Sequence, residues 1–112
     1  MQIVYEEGDA DYEAYQALVM AEIVRNVRQR LAAAGVKGRR LRELVTDIAF
    51  DVGAIVDGTQ MITTDDGHLA PILGFAEGRV RGELLLSHGG GASSLHEFVP
   101  GVVDNEFEVA GC

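Results

Sequence analysis

Side chains capable of chemistry gather in one stretch near the carboxyl end: His88, Gly89, Gly90, Gly91, Ser93, Ser94, His96 and Glu97. Three consecutive glycines hold neither a helix nor a strand well. A flexible run of backbone amides that leads into a helical turn is the kind of arrangement that cradles phosphate or carboxylate groups. Residues 88–97 are therefore the candidate site for a small ligand or anion. The spacing matches neither the P-loop nor the dinucleotide pattern, since Ala-Ser-Ser follows the glycines where Lys-Ser or Lys-Thr would be needed. A plain surface loop is the simpler reading of the same residues.

The same stretch offers two further kinds of chemistry. Ser93 or Ser94 could act as a nucleophile, with His88 or His96 as base and glycine amides as an oxyanion cradle. Gly-x-Ser-x-Gly is missing, however, and Ser94 with Glu97 three residues later has the spacing of a capping box, which gives that serine a structural reason. A small hydrolase is thus the enzyme alternative, and no catalytic residue is assigned. His88, His96 and Glu97, with the distant His68, could ligate zinc if folding brought them together, but His-x₇-His is not the helix-face pair four residues apart. The acids Asp104, Glu106 and Glu108 and the pair Asp65-Asp66 lack the twelve-residue calcium loop. Neither a metal nor a cofactor is expected. The lone Cys112 has no partner in the chain and no fixed neighbour to lower its pKa.

These residues must be positioned by a chain of 112 residues, a length that suits a single compact domain over 1–112. Residues 12–34 contain no Pro or Gly, and Ala17, Met20, Val24, Val27, Leu31 and Ala34 recur at three- and four-residue steps. They predict a helix that Gly35 ends. Arg39 to Asp57 repeats the pattern up to Gly58, and the four-residue linker between the two favours an antiparallel helix hairpin. Asp47, Asp51 and Asp57 fall on its polar side and read as a solvated face. Gly53 within it signals close backbone packing.

Beyond Gly58 the period shortens. Residues 59–64, 68–76 and 80–87 read as strands of a small antiparallel sheet, with turns at Asp65-Asp66-Gly67 and Glu77-Gly78, and with Pro71 marking an edge or a bulge. Met1 to Tyr5 could add a strand. A short helical turn is expected from Leu95 to Pro100, after which Val102, Val103, Phe107 and Val109 can dock the carboxyl-terminal piece. The fold class is α+β: a helix hairpin (about 12–34 and 39–57), a small antiparallel sheet (about 59–64, 68–76 and 80–87) and a short carboxyl-terminal helical segment.

Two features suggest how such a domain is used. Tyr15, Leu18, Val19 and Ile23 widen the apolar stripe of the first helix past what one packed neighbour covers, which makes them interface candidates. Charge is segregated as well. Seven of the nine Lys and Arg residues lie between Arg25 and Arg42, with no acid among them, in a chain of net charge −9. Arg25, Arg28 and Arg30 suit the end of a helix, whereas Arg39, Arg40 and Arg42 open one, where positive charge is disfavoured. Acids of the same chain, a symmetry mate or an acidic partner must compensate them.

The net charge opposes nucleic acid and acidic membranes, and neither a signal peptide nor a membrane span is visible in the sequence. The expectation is a cytoplasmic, non-catalytic protein-interaction module acting as a homodimer. One concrete form is an acidic bacterial accessory or inhibitory protein that covers a basic partner, as an immunity protein neutralises a toxin.

Overall fold

The computed structural model describes residues 2–7, 10–80, 83–88 and 94–109, with side chains at 12–76 and 94–109. In chain order the elements are β1 (Gln2–Glu7), α1 (Ala10–Ala33), α2 (Gly38–Val56), β2 (Ile62–Thr64), β3 (Gly67–Leu69), β4 (Gly74–Val80), β5 (Glu83–His88), a 3₁₀ turn (Leu95–Phe98) and α3 (Val99–Val109). The α+β class expected from the sequence is observed.

The core is built by helices. Met20 and Val24 of α1, Leu41, Val45 and Ala49 of α2, and Leu95, Val99, Val103 and Phe107 of the 3₁₀ turn and α3 form one buried cluster. Their four-residue spacings put each set on one helix face, so three apolar stripes close on one another. Gly35 ends the first helix in the left-handed region, at φ +93°, where a side chain would be strained. The third wall is thus the 3₁₀ turn and α3. The helical turn from Leu95 does not stop at Pro100. It passes directly into α3, whose first turn tolerates a proline because the missing N–H has no intrahelical acceptor there.

The strands divide into two sheets. Residues 68–76 are interrupted at Pro71, so β3 pairs back on β2 and β4 pairs with β5. Gly78 serves as a bulge within β4, between Glu77 and Arg79, and not as a turn. The amino-terminal strand is present: β1 lies parallel to β5, with Gln2 opposite Glu83 and Glu7 opposite His88, giving the order β1-β5-β4. Aromatic contacts tie this sheet to α1. Tyr12 and Tyr15 meet Phe75 edge to face, with ring centroids 5.5 and 5.4 Å apart, and the buried Tyr12 donates its hydroxyl proton to Leu73 O at 2.7 Å. The radius of gyration is 16.2 Å, larger than the roughly 13 Å of a compact domain this long. Sheet and hairpin stand beside the helical core instead of wrapping it.

Candidate functional site

On the outer side of α1 the helix and β4 leave an open groove of about 270 Å³, lined by Tyr15, Leu18, Val19, Phe75 and Ala76. Tyr15, Leu18 and Val19 were singled out by the width of the α1 stripe. Leu18 is 63% exposed, a large apolar side chain in water at the groove, while Val19 also packs toward the helical core. Ile23 is half-buried against that core. Phe75 and Ala76 were missed by sequence reasoning, because nothing local says which helix a strand residue will face.

The arginines are largely answered within the chain. Arg42 pairs with Asp104 of α3 and lies over the Phe107 ring, 5.5 Å from its centroid. Arg28 donates to Glu106 across 2.5 Å, with both side chains mostly buried. Arg39 bonds Glu43 one turn along its own helix, at 2.9 Å, where both are exposed. Arg40 is exposed and has no acidic partner among the described residues. The acids of α3 therefore neutralise much of the basic face that α1 and α2 turn toward them.

Within the candidate ligand stretch, Gly89, Gly90, Gly91 and Ser93 lie outside the described residues. His88 is described in its backbone alone, at the end of β5 between Gly74 and Glu7. Ser94 precedes the 3₁₀ turn without a side-chain cap, and its N–H is taken by Gln16 Oε1 at 3.0 Å. Glu97 is exposed, and its N–H goes to Ser94 O at 2.9 Å. The side chains of Ser94 and Glu97 thus do not close the expected capping box.

His96 has a partner that the sequence hid. Asp57, read as part of a solvated face, is buried, with its side chain fully out of solvent. Its Oδ2 accepts the His96 backbone N–H at 3.0 Å and lies 2.5 Å from His96 Nδ1, while Oδ1 accepts the Thr59 N–H at 2.9 Å. Burial pushes this carboxyl up, but hydrogen bonds from Thr59 and His96 together outweigh it and hold the group below its ordinary value. The Phe50 ring meets the imidazole edge to face at 5.3 Å. An acid that fixes Nδ1 leaves Nε2 as the available base, as in hydrolytic triads. Yet the hydroxyl placed beside the ring among the described residues, Thr59 Oγ1, lies 3.3 Å from Nδ1, the wrong nitrogen. The signal for Asp57 was Asp-Gly-Thr after a helix, an Asx-turn pattern in which the carboxylate takes the N–H two residues on.

Among the described residues, no three His, Cys, Asp or Glu are grouped to hold a metal ion, and no helix is long and apolar enough to cross a membrane. No family model, curated protein or solved structure matches this chain.

Proposed function

We propose that this chain is a non-catalytic protein-interaction module that works in the cytoplasm as a homodimer through the outer face of α1. The observation that carries the reading is the open groove beside Leu18, whose side chain meets water at the only stretch of α1 flanked by both a strand and exposed apolar surface among the described residues. A non-catalytic role is supported by the polar chemistry nearest to an enzyme's. Asp57 accepts the backbone N–H groups of Thr59 and His96 at a helix junction and also meets the His96 imidazole, which is the work of a structural clamp. The net charge of −9 keeps such a module soluble and suits a basic protein as a further partner.

Light scattering on a size-exclusion column tests this directly. The parent protein should elute at twice the chain mass at micromolar concentration, and Leu18→Asp should elute at the single mass with an unchanged far-ultraviolet spectrum. A parent that is monomeric at that concentration sinks the reading.

A further inference from the structure

We infer that the homodimer forms by reciprocal exchange of the β2–β3 hairpin, each copy laying this arm along α1 of the other with Ile62 and Leu69 in the groove beside Leu18. The inference rests on the homodimer reading and names the surface that fills the groove.

Among the described residues the arm is an apolar element without a cover. β2 and β3 pair only with each other among the described strands, and a two-stranded hairpin is marginal in water on its own. Ile62 and Leu69 are register partners, so both side chains stand on one face of the arm. Leu69 is 57% exposed, and Ile72 just beyond the arm is 75% exposed. One chain therefore carries both an apolar projection and an open apolar groove that its own projection does not fill. A two-fold pair uses each twice. Each arm then needs to bury about 600 Å² to bring the pair to the roughly 1,200 Å² at which specific interfaces begin.

Charge fixes the direction of the arm. From Ile62 to Asp65 at its tip is three residues of strand, about 10 Å. From Leu18 to Arg25 is seven residues of helix, also about 10 Å. With Ile62 and Leu69 at Leu18 and the arm pointing toward the carboxyl end of α1, the exposed tip Asp65-Asp66 reaches the level of Arg25 of the second copy. Among the described residues Arg25 is engaged with Glu22 alone, on an exposed surface, a pairing weak enough to be exchanged.

Two sets of variants test the exchange. In a Cys112→Ser background, Leu18→Cys and Leu69→Cys proteins are prepared separately, mixed, allowed to exchange subunits and oxidised. The mixture should yield a disulfide-linked species of twice the chain mass that neither protein gives alone. By light scattering, Leu69→Asp should dissociate the parent dimer as fully as Leu18→Asp. Asp66→Arg and Arg25→Glu should each weaken self-association, and the doubly reversed protein should recover it. A dimer that Leu18→Asp dissolves but Leu69→Asp leaves intact, with no mixed disulfide, overturns arm exchange while the homodimer stands. Failure of the doubly reversed protein to recover overturns the proposed direction of the arm. A monomeric parent overturns both the exchange and the reading beneath it.

Discussion

Asp57 Oδ2 and His96 Nδ1 lie 2.5 Å apart, joining residues 39 positions distant in the chain. The same oxygen accepts the His96 N–H, and the other accepts the N–H of Thr59. One buried carboxylate thus closes the end of α2 and starts the 3₁₀ turn that leads into α3. Since Leu95 directly precedes His96 and Val99, Val103 and Phe107 follow it, the clamp sets where four of the nine residues of the buried cluster lie.

Removing the carboxylate should therefore cost more than a surface acid. Asp57→Ala strands two backbone N–H groups and leaves the imidazole without its acceptor. Charge-assisted hydrogen bonds contribute about 1.5–3 kcal/mol each but are not additive, so a loss of about 2–4 kcal/mol in unfolding free energy is expected. Asp47→Ala and Asp51→Ala, on the exposed side of α2, should stay within about 0.5 kcal/mol. Urea titrations followed by circular dichroism give all three values.

The same group predicts an acid limit. Its folded-state pKa lies below the ordinary value of 3.8, so the unfolded chain binds this proton more readily. The resulting stability is fully present above the unfolded-state pKa and is lost as pH falls through the folded-state value. Unfolding free energy should decline from about pH 5 downward, and Asp57→Asn should flatten that decline while lowering the plateau at neutral pH. A decline of equal steepness in both proteins would assign the acid sensitivity to other carboxylates.

What the sequence disclosed and what it hid divide along physical lines. The helices were legible because Met20, Val24, Leu41, Val45 and Ala49 repeat with the period of the elements they build, and Gly35 marks a stop that only its own backbone requires. The β2–β3 turn was legible because Asp-Asp-Gly carries local turn chemistry. The third wall of the core was harder to see. Pro100 reads as a terminator when the helix is assumed to begin before it, and as an opener when the helix begins at Val99. Asp57 was misplaced because helical periodicity gives the polar side of α2, while burial at its last turn is decided by Leu95 and His96, which return about 40 residues later. The groove likewise depends on Phe75 meeting Tyr15, a contact that no spacing within either segment encodes.

Burial should also rank the arginines. Arg28 and Glu106 have side chains only 19% and 18% exposed, whereas Arg39 is 92% exposed. Exposed pairs contribute about 0–1 kcal/mol, and breaking a largely desolvated one leaves the remaining charge poorly solvated. Arg28→Ala should therefore destabilise the fold by about 1–3 kcal/mol, with Arg39→Ala near zero. Glu106→Gln should recover part of the loss in the Arg28→Ala background, because it removes the stranded charge. Thermal or urea denaturation of the parent, Arg28→Ala, Glu106→Gln and the doubly changed protein completes a double-mutant cycle, and equal costs for Arg28→Ala and Arg39→Ala would show that burial does not set the ranking.

Two glycines should respond in opposite directions to the same methyl group. By helix propensity alone, Gly→Ala gains up to about 1 kcal/mol within a helix. A Cβ at Gly101 in α3 meets no atom within 4 Å, so Gly101→Ala should stabilise by about 0.5–1 kcal/mol. At Gly53 the added carbon would stand 2.9 Å from Met20 Cε and 3.1 and 3.3 Å from His96 Cα and N. The methionine terminus can move aside. The His96 backbone cannot do so freely, because Asp57 holds it, and its displacement shifts the start of the 3₁₀ turn and α3. Overpacking of this kind costs about 1–3 kcal/mol, which exceeds the propensity gain, so Gly53→Ala should lower the melting temperature while Gly101→Ala raises it. Adding Asp57→Ala to Gly53→Ala should cost less than the sum of the two changes, since a released His96 backbone can yield to the methyl group.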